Sequence, residues 1–526
     1  NGENQAVEIL KQEALKIGFP VLLKASAGGG GKGMRVVRHE NDLTKAIEAA
    51  KREAKNGFGD DTLLIEKYFD SARHIEFQIF GDQHGNVVHC FERECSIQRR
   101  HQKVIEETPS VVLTPILRQK MGEAAILAAK AISYDNAGTV EFILTPENEF
   151  YFLEVNTRLQ VEHPVTEMVT NLDLVQLQIE VAQGLPLPFE QKDIKQKGHA
   201  IECRLYAEDA NNNFLPATGD ILLWKMSNQP NVRYDTGIAT NSKIDIYYDP
   251  MIAKVIVYAK NRQLAIQKMK RTLEQTVLLG LVSNKDFLIN VLQNEHFKAG
   301  NFDTHFLGKI FQYETAKISD LSKKYFAIAA HLWLWQQKES DRTVLKNIPS
   351  GWRNNFYIMQ QKIFKIADEN VKLSYKYNKN SFSISVDNQD FIVKLLVIEP
   401  NSLYAEINGH RLRFAIAEKG ENVYLHQDNL GSCQLQKVSN FGEQEEEELA
   451  GSYKSPMPAE VVKVLVKAGD SVKMGDALLI LSSMKMENTI EAYENGTVSE
   501  IFVQEKAFVA ADTVLLQIAA AVKPNK

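Results

Sequence analysis

The stretch EVVKVLVKAGDSVKMGDALLIL, residues 460–481, returns in altered form as TVSEIFVQEKAFVAADTVLLQI at residues 497–518. Laid on each other at a constant offset of 37 (498 minus 461) without a gap, the two copies pair Val461 with Val498, Val466 with Val503, Val472 with Val509, Leu478 with Leu515 and Leu479 with Leu516. Alternating apolar positions mark half-buried strands, and their duplication marks two like β-halves. Between the halves stands Met484-Lys485-Met486-Glu487. A buried ammonium is costly, and an exposed methionine pair leaves apolar surface in water. The tetrapeptide is therefore expected at a hairpin tip read by a modifying enzyme.

This pattern resembles the biotinyl or lipoyl carrier fold, a flattened β-barrel of two quasi-symmetric sheets with the modified lysine on a protruding turn. The methionine flanks resemble the biotin version; Ser483 departs from it, since alanine is usual there. The resemblance implies biotin attached covalently to Lys485 by a biotin protein ligase. Upstream, an acidic run from Glu443 to Glu448, with Gly442 and Gly451 around it, reads as a flexible linker. The lysine arm and biotin reach only on the order of 15 Å, so the whole domain has to swing between sites.

A chain of 526 residues, 44% hydrophobic and 24% charged, has room for several globular domains. Its net charge of −6 and the lack of a long basic stripe argue against nucleic acid as the main partner. Cys90, Cys95, Cys203 and Cys433 are spread without paired metal spacing, which suggests a reducing compartment and no zinc site. No apolar run approaches the roughly twenty residues of a membrane span, and no secretory signal is visible. The expected location is the cytoplasm, or the mitochondrial matrix in a eukaryote. The sequence starts at Asn1, without an initiator methionine and directly in a helical pattern.

In the first half, a short apolar strand leads through Lys24 into Ala27-Gly28-Gly29-Gly30-Gly31-Lys32-Gly33. Bare amides there can close over phosphates, with Lys24 and Lys32 supplying charge. Glu66 and Lys67 end the strand that begins at Leu63, and Arg73-His74-Ile75-Glu76 follows. The run Glu92 to Lys103 holds too few apolar residues for a packed strand. Glu141 and Glu154 interrupt two β-rich apolar runs, the second ending at Asn156; inward carboxylates need a partner, and hard oxygen ligands suit Mg²⁺ (or Mn²⁺) bridging nucleotide phosphates. The densest polar stretch is Asn156-Thr157-Arg158-Leu159-Gln160-Val161-Glu162-His163-Pro164, a compact anion-binding constellation.

In this order the motifs resemble biotin carboxylase, an ATP-grasp ligase. The resemblance implies that Lys24, Gly29, Gly30, Lys32, Glu66, Lys67, His74, Gln98 and His101 surround ATP, and that Lys103 reaches the γ-phosphate and bicarbonate. It implies that Arg158, Gln160 and the Val161 amide bind bicarbonate and that Glu162 is the general base. Glu141, Glu154 and Asn156 would hold the metal, and Arg204 would stabilise the biotin enolate. The family also has an α/β domain ahead of this point, which is expected to be lacking here, with activity of the chain alone in question.

The similarity continues to about residue 310, through Phe214 to Gly219 and Tyr247 to Lys254. After an apolar helical stretch from Lys324 to Gln337 come short alternating strands such as Ser381 to Val386 and Leu403 to Ile407, which suggest a small antiparallel barrel. With Trp352-Arg353-Asn354 before it, this part resembles the domain that docks a carboxyltransferase (β) subunit in acyl-CoA carboxylases. About 130 residues cannot hold the carboxyltransferase barrel of pyruvate carboxylase.

The expected fold is multidomain α+β: an ATP-grasp domain over 1–195, a biotin carboxylase C-terminal domain over 196–312, a docking helix and β-barrel over 320–440, a linker over 441–452 and a biotinyl domain over 453–520. The expected function is ATP- and bicarbonate-dependent carboxylation of biotin on Lys485. A partner carboxyltransferase in a hetero-oligomer then passes the carboxyl to an acyl-CoA, as in the α subunits of the propionyl-CoA and methylcrotonyl-CoA enzymes. The alternatives are a component of acetyl-CoA, geranyl-CoA or urea carboxylase, or a catalytically silent carrier.

Overall fold

The computed structural model describes residues 4–27, 34–99, 102–311, 318–348, 352, 354, 357–438, 451–484 and 486–520. The loop with Gly29, Gly30 and Lys32, together with His101, Arg353, the acidic run Glu443 to Glu448 and Lys485, lies outside the described residues. The chain forms two compact units, one of Asn1–Arg204, Ile256–Met269 and Val291–Tyr313, the other of Leu205–Val255, Lys270–Asn290 and Glu314–Lys526. Among the described residues no helix is long and apolar enough to cross a membrane.

The first unit carries two sheets. Strands Arg35–Val37, Val21–Ala25 and Leu63–Lys67 form a small antiparallel sheet in that order. Helices Val7–Ile17 and Glu40–Phe58 share its core through Leu10, Ala14, Leu43 and Ile47. The larger sheet includes, in this order, His199–Tyr206, Gln102–Thr108, Val87–Arg99, Arg73–Gly81, Asn136–Leu144 and Phe150–Asn156, each antiparallel to the next.

Side chains alternate across a strand, and this sheet uses its two faces differently. Ile75, Phe77, Ile79, Val140 and Phe142 pack with Leu117, Met121 and Ala125 of helix Pro115–Ala131. That helix starts where Thr114 accepts a hydrogen bond from the Leu117 N–H, with Pro115 in its first turn. The intervening His74, Glu76, Gln78, Thr139 and Glu141 are buried as well. The polarity of residues 92–103 is therefore misleading, because Glu92 to Arg99 belong to a packed strand. It packs because its charges are matched internally: Arg118 pairs with Glu92, Arg73 with Glu94, and Arg93 with Glu76.

In the second unit, eight antiparallel strands from Gln360–Ile366 to Gly431–Lys437 close into a barrel. Helix Asp320–Ser340 is capped by Ser319 and buries nine successive residues, Phe326 to Leu334. A helix apolar all round has to be enclosed, and this one packs against five barrel strands and shares their core.

The carrier region keeps the 37-residue repeat in three dimensions. Strands Ala459–Val464, Ser471–Val472 and Ala477–Ser483 recur as Gly496–Ile501, Phe508–Val509 and Val514–Ala520. The short strand of each half crosses to pair with the other half, Ser471–Val472 with Thr497–Gly496 and Phe508–Val509 with Glu460–Ala459. Both four-stranded sheets thus depend on both copies, around a shared core of Val461, Leu479, Val498 and Leu516.

Candidate active site and carrier turn

Arg93 organises the polar face of the large sheet. It is fully buried, and each of its five N–H groups has an acceptor. Nε donates to Glu76 at 2.6 Å, one terminal nitrogen to Gln78 at 2.8 Å and Thr166 at 3.1 Å, the other to Thr139 at 3.2 Å and Gln160 at 3.0 Å. Gln160 is thereby oriented, and its amide nitrogen donates to Glu141 at 2.9 Å.

Lys103 stands among three carboxylates. It donates to Glu76, to Glu141 at 3.0 Å and to Glu162 at 2.6 Å. Burial works against its charge, but Glu76, Glu162 and Glu141 outweigh that and hold its pKa well above the ordinary lysine value. Glu162 accepts from Lys103 on one oxygen and from Arg204 on the other, at 2.9 Å. Burial alone would raise its carboxyl, yet Lys103, Arg204 and Arg93 together hold it well below the usual carboxylate range. Glu162 is therefore ionised at neutral pH.

The proposed metal ligands come from adjacent strands. Glu141 and Glu154 are register partners, and the Asn156 amide donates to Glu141 at 3.0 Å. Glu154 is exposed, contrary to the inward placement expected of it: among the described residues strand Phe150–Asn156 is the end strand of its sheet, paired on one side. Two carboxylates and an amide oxygen on adjacent strands, one open to solvent, fit a hard cation held together with a solvated ligand. His74 Nε2 also lies 2.9 Å from Glu141, and Gln98 donates to the Cys95 carbonyl at 3.1 Å with its amide 3.5 Å from His74 Nδ1.

Arg158 is exposed and among the described residues makes two long contacts, to the Leu159 carbonyl and to Asn156, both at 3.4 Å. Val161 follows Gln160 directly and is half-buried. On the small sheet, Lys24 pairs with Glu66 at 2.7 Å, while Lys67 donates to the Gly18 and Phe19 carbonyls. The structure thus gathers Lys103, Glu141, Gln160, Glu162 and Arg204 through direct hydrogen bonds, and Lys24 with Glu66 separately.

Sequence reasoning missed three residues that hold this network: Glu76, Arg93 and Glu106. The available signal was a polar residue at every second position, His74, Glu76 and Gln78, within an apolar strand. Such a pattern marks a second face rather than a strand end.

At the carrier turn, Ser483 and Met486 are register partners across the hairpin. Met484 has φ +47°, as the tight turns of twisted hairpins require. The expected exposed methionine pair is corrected at Met484, which is only 2% exposed. Its N–H donates to the Ile246 carbonyl at 3.2 Å, so this side of the turn rests on the Lys243 to Asp249 segment of the same unit. Tyr247 from that segment also meets the Phe508 ring edge-on, with centroids 6.1 Å apart.

Comparison with known proteins shows which families the parts of this chain match. Residues 2–190 match the family described as carbamoyl-phosphate synthase L chain, ATP binding domain; residues 202–309 match the biotin carboxylase C-terminal domain; residues 452–518 match the biotin-requiring enzyme family. The chain is 40% identical to the mitochondrial methylcrotonoyl-CoA carboxylase subunit alpha of Mus musculus, over 96% of this chain and 73% of the relative. It is 38% identical to the mitochondrial propionyl-CoA carboxylase alpha chain of Homo sapiens, over 96% and 71%. Among solved structures, it is similar to the biotin carboxylase domain of Hydrogenobacter thermophilus 2-oxoglutarate carboxylase in complex with MgADP, ADP and bicarbonate, with TM-score 0.57 and 44% identity over 59% of this chain and 69% of that one. It is likewise similar to a Campylobacter jejuni biotin carboxylase in complex with β,γ-ATP, with TM-score 0.56 and 47% identity over 58% and 68%.

Proposed function

This chain belongs to the family of biotin-dependent carboxylase α subunits that includes the methylcrotonoyl-CoA and propionyl-CoA enzymes, and from that premise we propose how its residues divide the reaction. Biotin on Lys485 is carboxylated with ATP and bicarbonate, and a carboxyltransferase subunit passes the carboxyl on to a methylcrotonoyl- or propionyl-type acyl-CoA. The observation that carries the assignment is the placement of Glu162, ionised and bridged between Lys103 and Arg204 beside the Gln160–Glu141 contact.

Bicarbonate enters as an anion, and exposed Arg158, which among the described residues bonds only to the neutral oxygens of Leu159 and Asn156, can pair with it bidentately. Gln160, already fixed by Arg93 and Glu141, and the Val161 amide orient it. Glu162 then takes the bicarbonate proton as the oxygen attacks the γ-phosphorus and ADP leaves. Its carboxylate is a weak base while Lys103 and Arg204 both hold it. As Lys103 turns to the charge building on the transferred phosphoryl group, one of those two cations is withdrawn and the basicity of Glu162 rises at the moment the proton is needed. Glu141, Glu154 and Asn156 would hold Mg²⁺, which would supply positive charge to neutralise the nucleotide phosphates.

The resulting carboxyphosphate releases CO₂ and phosphate, and the phosphate accepts the biotin N–H proton. Biotin, when bound, supplies the ureido nitrogen that captures CO₂. Arg204 stabilises the negative charge developing on the ureido oxygen, using the N–H edge that otherwise rests on Glu162. Lys24 and Glu66 of the small sheet, with the glycine loop, His74, Gln98 and His101, serve the nucleotide.

Avidin capture of the protein with its co-purifying subunit, followed by ATP-dependent fixation of radiolabelled bicarbonate into a panel of acyl-CoAs, tests this reading. Label is expected in a methylcrotonoyl- or propionyl-type acyl-CoA. Capture with no ATP-dependent label in any acyl-CoA would leave a biotinylated carrier and overturn the carboxylase assignment.

A further inference from the structure

Arg204 is shared between two acids. Its Nε donates to Glu106 at 2.5 Å, and a terminal nitrogen donates to Glu162 at 2.9 Å. Glu106 sits on strand Gln102–Thr108, paired with strand His199–Tyr206, where Glu202 is its register partner. It is fully buried, and its second oxygen has no hydrogen-bond partner among the described residues. A carboxylate that used both oxygens would be a plain structural ion pair. One that keeps a buried oxygen empty is retained against the desolvation cost, which calls for another reason.

We propose that Glu106 is a positioning residue for the biotin half of the reaction: by holding Nε it anchors the Arg204 guanidinium on its strand, so that the outer N–H edge can leave Glu162 and turn to the ureido oxygen without the side chain drifting away. This rests on the reading of Arg204 given above. The two acids have unequal tasks. Glu162 must lose its negative charge when it takes the bicarbonate proton, and a guanidinium held by Glu162 alone would then lose its counter-charge in mid-reaction. Glu106 supplies a second one, outside the bicarbonate chemistry.

The charged and titratable groups facing Glu106 are Arg204, Cys203 and its buried register partner Glu202 on strand His199–Tyr206, Cys95 on strand Val87–Arg99, Glu162 before helix His163–Thr170, and Lys103 on its own strand. Burial, partly offset by Arg204 and reinforced by the charge on Glu162, pushes the Glu106 carboxyl up to about 7. Below that pH Glu106 is neutral and its hold on Arg204 weakens; above it the anchor is charged. The biotin step should therefore gain an acidic limb near neutrality that the bicarbonate step lacks.

The test compares two partial reactions of the full chain with its partner subunit: bicarbonate-dependent ADP formation without biotin turnover, and carboxylation of free biotin. In the native enzyme the second should fall as pH drops through about 7 more steeply than the first. In Glu106→Gln, which keeps the size and one acceptor, biotin carboxylation relative to ADP formation should drop about 10- to 100-fold, the effect of one charge-assisted hydrogen bond. Its acidic limb should also flatten. Equal limbs for both partial reactions in the native enzyme, a measurement that needs no variant, would overturn the proposal, as would a Glu106→Gln variant with the native ratio and limb. Arg204→Lys separates the two levels: if it carboxylates free biotin normally, the reading of Arg204 itself fails, whereas its loss alongside a native Glu106→Gln overturns only the role of Glu106.

Discussion

Two cores of this chain are equally dry and opposite in kind. Around Arg93 and Lys103, the face of the large sheet buries Glu76, Glu106, Glu141, Glu162 and Arg204, joined by charge-assisted bonds. Around helix Asp320–Ser340, the barrel buries Phe326, Leu332, Phe364, Leu373, Phe414 and Leu425. The barrel is held by apolar area removed from water, roughly 25 cal/mol per Å². A buried ionic network gains little net stability over a hydrophobic replacement, yet it is costly to break once built. Its retention in the sheet is therefore an argument for chemistry, and substitutions should affect the two cores differently.

The largest difference is expected at Lys103. Lys103→Met should lower bicarbonate-dependent ADP formation by about 10²- to 10³-fold, the scale for removing one preorganised charge from a reacting anion. Activity within a few-fold of native would detach Lys103 from the phosphoryl step. In the same network, Arg93→Met should act mainly on folding, since it strips donors from Glu76, Gln78, Thr139 and Gln160 together. A loss of about 3–5 kcal/mol is expected by chemical denaturation, and an unchanged midpoint would mean the network reorganises at little cost.

In the barrel, Leu332→Ala should cost about 2–5 kcal/mol through a cavity in the enclosed helix, with no specific change in KM for bicarbonate at temperatures where the variant remains folded. A selective KM change would mean that the two cores are energetically coupled. A last difference separates the cores by pH. Burial, with Lys362 and Lys338 nearby, lowers His331 to about 3, and burial, with Lys285 nearby, lowers His426 to about 3, from an ordinary 6.5. Below pH 6.5 the unfolded chain binds protons that the folded barrel does not, so stability is full above that pH and is lost as pH falls toward 3. The slope is at most about 1.4 kcal/mol per pH unit for each histidine. His331→Leu should shallow the acid limb of the unfolding midpoint, and an unchanged limb would show that these histidines do not set it.

Legibility followed the same division. The carrier's strands recur at the 37-residue spacing read from Val461 and Val498, because alternation of apolar and polar residues is what a half-buried strand imposes. The barrel helix was visible in its run of apolar residues for the same reason. The strand through Arg93 was not, since a face buried by mutual charge neutralisation carries no apolar signature. Glu76 and Glu106 look like surface acids until the register places Arg93 opposite the first and a hydrogen bond brings Arg204 to the second. Glu162, Arg158 and Gln160 were legible as a dense motif, but the exposure of Glu154 depends on its being in an end strand of the sheet, which spacing along the chain does not encode.

The central claim is that the carboxylate bridged by Lys103 and Arg204 is the base that starts the reaction. The direct measurement is ATP-dependent transfer of label from bicarbonate to the biotin on Lys485, comparing the native protein with Glu162→Gln after avidin blotting has shown equal biotinylation. Label on the native protein and none above background on the variant is the predicted result; equal labelling of the two would contradict it.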